Sequence, residues 1–85
     1  MADVEIYGTD WCEDTQHTRA HLQQLGVEYR YINIEQDEAA ADWVKRQNDG
    51  EQKTPTVKLP GLVLSVPSDG QLNTAMRAKG ITTGD

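Results

Sequence analysis

Two β-rich runs on either side of one helical period constrain this chain more than anything else in it. Residues 3 to 7, Asp-Val-Glu-Ile-Tyr, alternate polar and apolar and stop at Gly8, as a short strand does. Residues 13 to 25 then carry Thr15, Thr18, Leu22 and Leu25 at steps of three and four, which is one face of a helix. Glu13 and Asp14 crowd its first turn and Gly26 follows its end, where a helix favours acid and glycine. Residues 28 to 34, Glu-Tyr-Arg-Tyr-Ile-Asn-Ile, form a second β-rich run. Strands joined by a helical crossover pair in parallel, with a right-handed connection.

The rest of the chain completes an α/β pattern. Asp37 is placed to cap a second helix running to about Asn48, with Ala40, Val44 and Gln47 as its stripe and Asn-Asp-Gly at 48 to 50 as its stop. Residues 54 to 59 and 62 to 66 read as two strands around Pro60-Gly61. Proline then glycine favours a type II turn, with a slightly longer loop as the alternative. Ser68 is placed to cap a last helix through about Lys79, with Leu72, Ala75, Met76 and Lys79 on one face. Gly80 closes it, and the tail 81–85 is expected to fray. The order β-α-β-α-β-β-α predicts one domain over residues 1–85 with a four-stranded mixed sheet and three helices. Trp43, Tyr29 and Tyr31 fall on elements that cover or form the sheet, where packing suffices to explain them.

Charge excludes whole classes of partner. Eight basic residues against 14 acidic ones leave a formal charge of −6. Nucleic acid needs clustered Lys and Arg, and an anionic membrane surface repels such a protein. No apolar run approaches the roughly 20 residues of a membrane span. Met-Ala-Asp-Val-Glu lacks the basic and apolar segments of a secretory leader. A cytoplasmic location is expected, and the single cysteine, which forbids an internal disulfide, fits a reducing compartment.

That cysteine is the main candidate for chemistry. Cys12 lies between the first strand and the first helix, where unpaired N–H groups and the helix dipole favour a thiolate. A thiolate is what makes cysteine a nucleophile near neutral pH. Asp10, Glu13 and Asp14 oppose this with three negative charges, and no Lys or Arg lies within three residues. A weakly activated thiol is the expectation; an inert cysteine filling apolar space is the alternative. Thr15 stands where a second cysteine would complete Cys-x-x-Cys, and its hydroxyl either bonds the Cys12 thiolate or packs beneath it. His17 and His21 share a helix face, but two histidines make an incomplete zinc site. A solvated or half-buried face is the better reading, and no metal site is expected.

Tyr-Gly-Thr-x-Trp-Cys at 7 to 12, Ala-Ala-Ala-Asp-Trp-Val at 39 to 44, Asn-x-Gly at 48 to 50, Thr-Pro-Thr-Val-Lys at 54 to 58 and Pro-Ser at 67 and 68 together resemble a known family. The layout is that of the thioredoxin fold in its glutaredoxin-like form, and the nearest subfamily is the mycoredoxin-type bacterial glutaredoxins. The resemblance implies a three-layer domain in which Cys12 is the attacking sulfur. It implies a cis peptide bond at Pro55 in a loop facing Cys12, with the Thr54 backbone pairing with a bound thiol or peptide. It implies Trp11 as an apolar wall, Gln52 and Lys53 as holders of a ligand carboxylate, and Ser68 with Asp69 as a carboxylate site at a helix start. Cys-Glu-Asp-Thr is neither the dithiol motif nor the Cys-Gly-Phe-Ser of cluster carriers.

The implied activity is thiol–disulfide exchange by a monothiol route, on mixed disulfides between client proteins and a low-molecular-weight thiol: mycothiol, bacillithiol or glutathione. No cofactor is required, and a monomer suffices. Acidic surroundings predict slow turnover. Two alternatives are an iron–sulfur cluster carrier, with Cys12 from each of two chains and small thiols as the other ligands, and a non-redox peptide-binding module on the same fold.

Overall fold

The strand pairing follows from the crossover. In the computed structural model, which describes residues 2–81, β1 (Val4–Gly8), α1 (Glu13–Gln24), β2 (Tyr29–Asn33), α2 (Glu38–Gln47), β3 (Thr56–Leu59), β4 (Leu62–Ser65) and α3 (Asp69–Ala78) follow one another. They form one four-stranded sheet in the order β2-β1-β3-β4. β1 and β2 run parallel, with Val4 opposite Tyr29 and Gly8 opposite Asn33. β3 is antiparallel to both β1 and β4. The expected α/β, glutaredoxin-type arrangement is thus the one observed.

The period-two alternation of the strands divides the core into two layers. On one face Val4, Ile6, Val57 and Leu59 pack with Leu22 of α1 and with Leu72, Ala75 and Met76 of α3. On the other, Ile32 and Ile34 pack with Ala40 and Val44 of α2, while Tyr7 and Trp43 stack with ring centroids 4.6 Å apart. α2 therefore covers one side of the sheet, and α1 with α3 the other.

Element ends differ from the sequence expectation where backbone chemistry intervenes. Strand β3 begins at Thr56 rather than at residue 54, because Pro55 has no N–H to give the ladder; the Thr54–Pro55 bond is cis. Strand β4 stops at Ser65, since Val66 takes a left-handed φ of 45°. Pairing of Leu59 with Leu62 leaves only Pro60-Gly61 in the connection, and Gly61 has the positive φ, 71°, that the second central position of a type II turn needs. Gln47 and Lys79, placed on buried stripes by spacing, are exposed. In α2 the stripe continues instead to Asn48, four residues after Val44. Ile81 packs on the first core cluster and donates its N–H to Met76, so the chain is still anchored there; positions 82–85 of the expected tail lie outside the described residues.

One close approach sets where α1 starts. A Cβ on Gly8 would fall 2.5 Å from Oγ1 and 2.6 Å from Cγ2 of Thr15, which is fully buried in the first turn of α1. Only glycine lets the end of β1 and the start of α1 meet so closely. Gly8→Ala forces the β-branched Thr15 or the helix itself to move. A loss of about 1–3 kcal/mol is expected, measured by urea denaturation against the parent protein.

Candidate functional site

The sulfur sits at the junction that Gly8 and Thr15 make possible. Cys12 is the residue before α1, in extended backbone, and its carbonyl accepts the N–H of Gln16. Its side chain is half-buried and unpaired. Across from it lies the loop that enters β3. The Thr54 hydroxyl donates to Cys12 Sγ at 3.3 Å, and the thiol in turn donates to the Thr54 carbonyl at 3.7 Å. Pro55 is buried behind them, and its carbonyl accepts the N–H of Val66 at 2.8 Å.

These contacts set the ionisation of the thiol. Partial burial pushes the Cys12 pKa up, but the Thr54 hydroxyl, the Thr15 hydroxyl and the N–H groups of Thr15 and Asp14 pull it down, and the net value lies below the usual 9.0. The Thr15 hydroxyl acts from outside hydrogen-bond geometry, since it has no bonded partner. Thr54 therefore makes the direct contact. The lowering agrees in direction with the weakly activated thiol that the sequence predicts. The leading influences that lower the pKa are donors, and the nearest acid by sequence on the strand side is tethered elsewhere. Asp10 accepts from the Tyr31 hydroxyl at 2.7 Å and from Asn33 Nδ2 at 3.3 Å. Burial first, and then this bond to Asp10, push the Tyr31 phenol up to about 12, so the clamp stays protonated through the physiological range.

The other expected site residues fall into two groups. Trp11, which precedes Cys12 in the chain, is 69% exposed and donates its indole N–H to Glu35 at 3.0 Å. Ser68 and Asp69 begin α3 and line a groove of about 570 Å³ with Asp14, His17, Pro55 and Val66. Ser68 is already engaged in a capping box: its hydroxyl accepts the Gln71 N–H, and its own N–H is donated to Gln71 Oε1. Asp69 receives His17 Nε2 at 3.0 Å and faces His21 Nδ1 at 3.7 Å. The N–H groups of Asp69 and Gly70, at the first turn, are the ones left for a ligand. Gln52 and Lys53 are exposed, and Lys53 Nζ lies 3.5 Å from Glu51.

The histidine pair thus bridges α1 to α3: His21 also faces Asn73 Oδ1 at 2.8 Å. Among the described residues no group of three or more His, Cys, Asp or Glu is arranged to hold a metal ion.

The family model described as Glutaredoxin matches residues 4–63, which include Cys12, Thr54 and Pro55. The chain belongs to the glutaredoxin family. With it comes the family's chemistry, thiol–disulfide exchange, here with one cysteine. The chain is similar to Mycoredoxin 1 of Corynebacterium glutamicum, 48% identical over 59 residues that cover 68% of this chain and 71% of that protein. Its fold is similar to the glutaredoxin of Archaeoglobus fulgidus, with a TM-score of 0.74 at 22% identity over 91% of this chain and 88% of that one. Wheat glutaredoxin superposes with a TM-score of 0.66 at 16% identity, over 93% and 74% of the two chains.

Sequence reasoning missed several members of this glutaredoxin's site. Asn33, Tyr31 and Glu35, which restrain Asp10 and Trp11, come from the end of β2 and the residues just after it. Parallel pairing places them beside the residues that follow β1, and only the sheet register gives that away. Val66 has a strand-like sequence context, but it is one of two large apolar side chains exposed among the described residues, Trp11 being the other.

Because the folded pKa of Cys12 is depressed, its thiolate contributes stability that is fully present above 9.0 and is lost as pH falls through the folded value. Thr54→Val removes the hydroxyl and keeps the shape. The pH midpoint of Cys12 alkylation is expected to rise by about one unit, the worth of a hydrogen bond to a charged group; stopped-flow or timed iodoacetamide labelling across pH measures it.

Proposed function

We propose that Cys12 carries a monothiol exchange on mixed disulfides between proteins and a small thiol. The observation that carries this reading is the half-exposed sulfur at the start of α1, stabilised as thiolate by the Thr54 hydroxyl at 3.3 Å. The thiolate attacks the sulfur of the small thiol in the mixed disulfide. A new S–S bond joins Cys12 to the small thiol, and the client's sulfur leaves as thiolate and takes a proton from water. With Thr15 in place of a resolving cysteine, a second small thiol attacks that bond and frees Cys12 as thiolate. The two electrons come from the small-thiol pool, which ends as its symmetrical disulfide. No cofactor takes part. The reaction needs one chain only and suits a reducing compartment, which we take to be the cytoplasm.

Charge around the groove narrows the thiol. Asp14 and Asp69 line it, Glu13 follows Cys12 in the chain, and Lys53, the residue before Thr54, is paired with Glu51. A thiol with two carboxylates, such as glutathione, finds little cationic help there beyond the helix start. A neutral, hydroxyl-rich thiol such as mycothiol meets less repulsion. Trp11, Thr54, Pro55, Ser68 and Asp69 would contact it, with Gln52 and Lys53 at the rim.

Mass spectrometry after exposure to each oxidised small thiol tests both points. A one-to-one adduct on Cys12 is expected, formed faster with mycothiol than with glutathione. Absence of an adduct with any of them would end the exchange reading. Cys12→Ser should abolish release of small thiol from a modified client; full biological activity in that variant would favour a peptide-binding module instead.

A further inference from the structure

Asn48 ends α2, and its side chain is buried, 8% exposed. Its amide Nδ2 donates to the Val44 carbonyl at 2.8 Å and to Thr56 Oγ1 at 3.3 Å. Its Oδ1 accepts from the Ser65 hydroxyl. Thr56, fully buried, passes the contact on by donating its hydroxyl to the Lys53 carbonyl at 2.8 Å. Thr56 and Ser65 are register partners on β3 and β4. The residues just outside that pair, Pro55 and Val66, are joined by the 2.8 Å bond from the Val66 N–H to the Pro55 carbonyl. One buried amide thus ties the end of α2 to both strands at the place where the Lys53-Thr54-Pro55 loop leaves the sheet.

A simple helix stop does not need this. Any residue that tolerates the end of a helix would serve, and a buried amide is costly unless it is bonded. Asn48 has its donor and acceptor sides engaged, and the bonds lead within two residues to the hydroxyl that touches the reacting sulfur. A fixed loop keeps the Thr54 hydroxyl on Sγ, because the Lys53 carbonyl and the Pro55 carbonyl are held on either side of it.

We propose that Asn48 is a positioning residue, acting through Thr56 and the Lys53 carbonyl to hold the Thr54 hydroxyl against Cys12. The proposal rests on the exchange reading only in taking Cys12 as the reacting group. Its test reads the ionisation and alkylation of that sulfur rather than turnover of a small thiol, so either can fail while the other stands.

Four variants of the full chain decide it, with Cys12 alkylation followed across pH and folding checked by circular dichroism. Thr56→Val keeps the shape and loses the hydroxyl; Thr56→Ser keeps the hydroxyl. Asn48→Ala removes the amide. Val4→Ala loosens the core at the far end of β1, away from the loop. The charged groups that line the groove or lie near Cys12 and Thr54 in the chain, Asp10, Glu13, Asp14, His17, Glu51, Lys53 and Asp69, are the same in all four. The alkylation midpoint is expected to rise by up to about one pH unit in Thr56→Val and Asn48→Ala, as if the Thr54 bond were lost. It should stay at the parent value in Thr56→Ser and Val4→Ala. If Asn48→Ala does not fold, the Thr56 pair carries the decision. A folded Thr56→Val with the parent midpoint overturns the proposal, and so does an equal rise in Val4→Ala, which would reduce the effect to general loosening.

Discussion

The hydrogen bond from the Thr54 hydroxyl to Cys12 Sγ is where the two halves of this fold meet, and the chemistry depends on it. Cys12 arrives on the β1–α1 junction; Thr54 arrives on the loop before β3. They are 42 positions apart in the chain, and nothing local brings them together. β1 lies between β2 and β3 in the sheet, so the parallel crossover delivers the cysteine and the antiparallel return delivers the threonine. The close seat of Thr15 on Gly8 then fixes the helix start, and the sulfur with it.

Electrostatics around the site are sorted by direction rather than by number. The chain carries a net −6; Asp14 and Asp69 line the groove, Asp10 and Glu13 flank the cysteine in the chain, and Glu35 meets Trp11. Their effect on the sulfur is limited because some are directed to other partners. Tyr31 and Asn33 hold Asp10, the Trp11 indole holds Glu35, and His17 faces Asp69. Neutral donors at short range outweigh carboxylates that are mostly in contact with water, where Coulomb energies shrink to about 1 kcal/mol at 4 Å. Acidity thus has little hold on whether the cysteine ionises. The same acids still act on a ligand.

Much of this was legible in the residues. Glycines at 8, 26 and 80 and the caps at Asp37 and Ser68 mark the ends of elements by local chemistry, and the element order follows from them. The position of Cys12 before a helix, and the cis bond at Pro55 that family resemblance implies, are both present. Three features were not legible, each for a physical reason. Whether Asp10 faces Cys12 or Tyr31 depends on the register of β1 against β2, which alternation does not set. Asn48 reads as a turn residue, and only the partners on β3 and β4 reveal its buried amide, although its place four residues after Val44 extends the buried stripe. Val66 looks like a strand residue because a β-branched side chain rarely adopts positive φ, yet its φ is 45°.

Alkylation of Cys12 in the native chain and in the same chain unfolded in urea, each followed across pH, tests the central claim most directly. A native midpoint below that of the unfolded chain is expected, with the sulfur open to reagent in both. A native midpoint equal to or above the unfolded one, or a native sulfur that does not react, would contradict it.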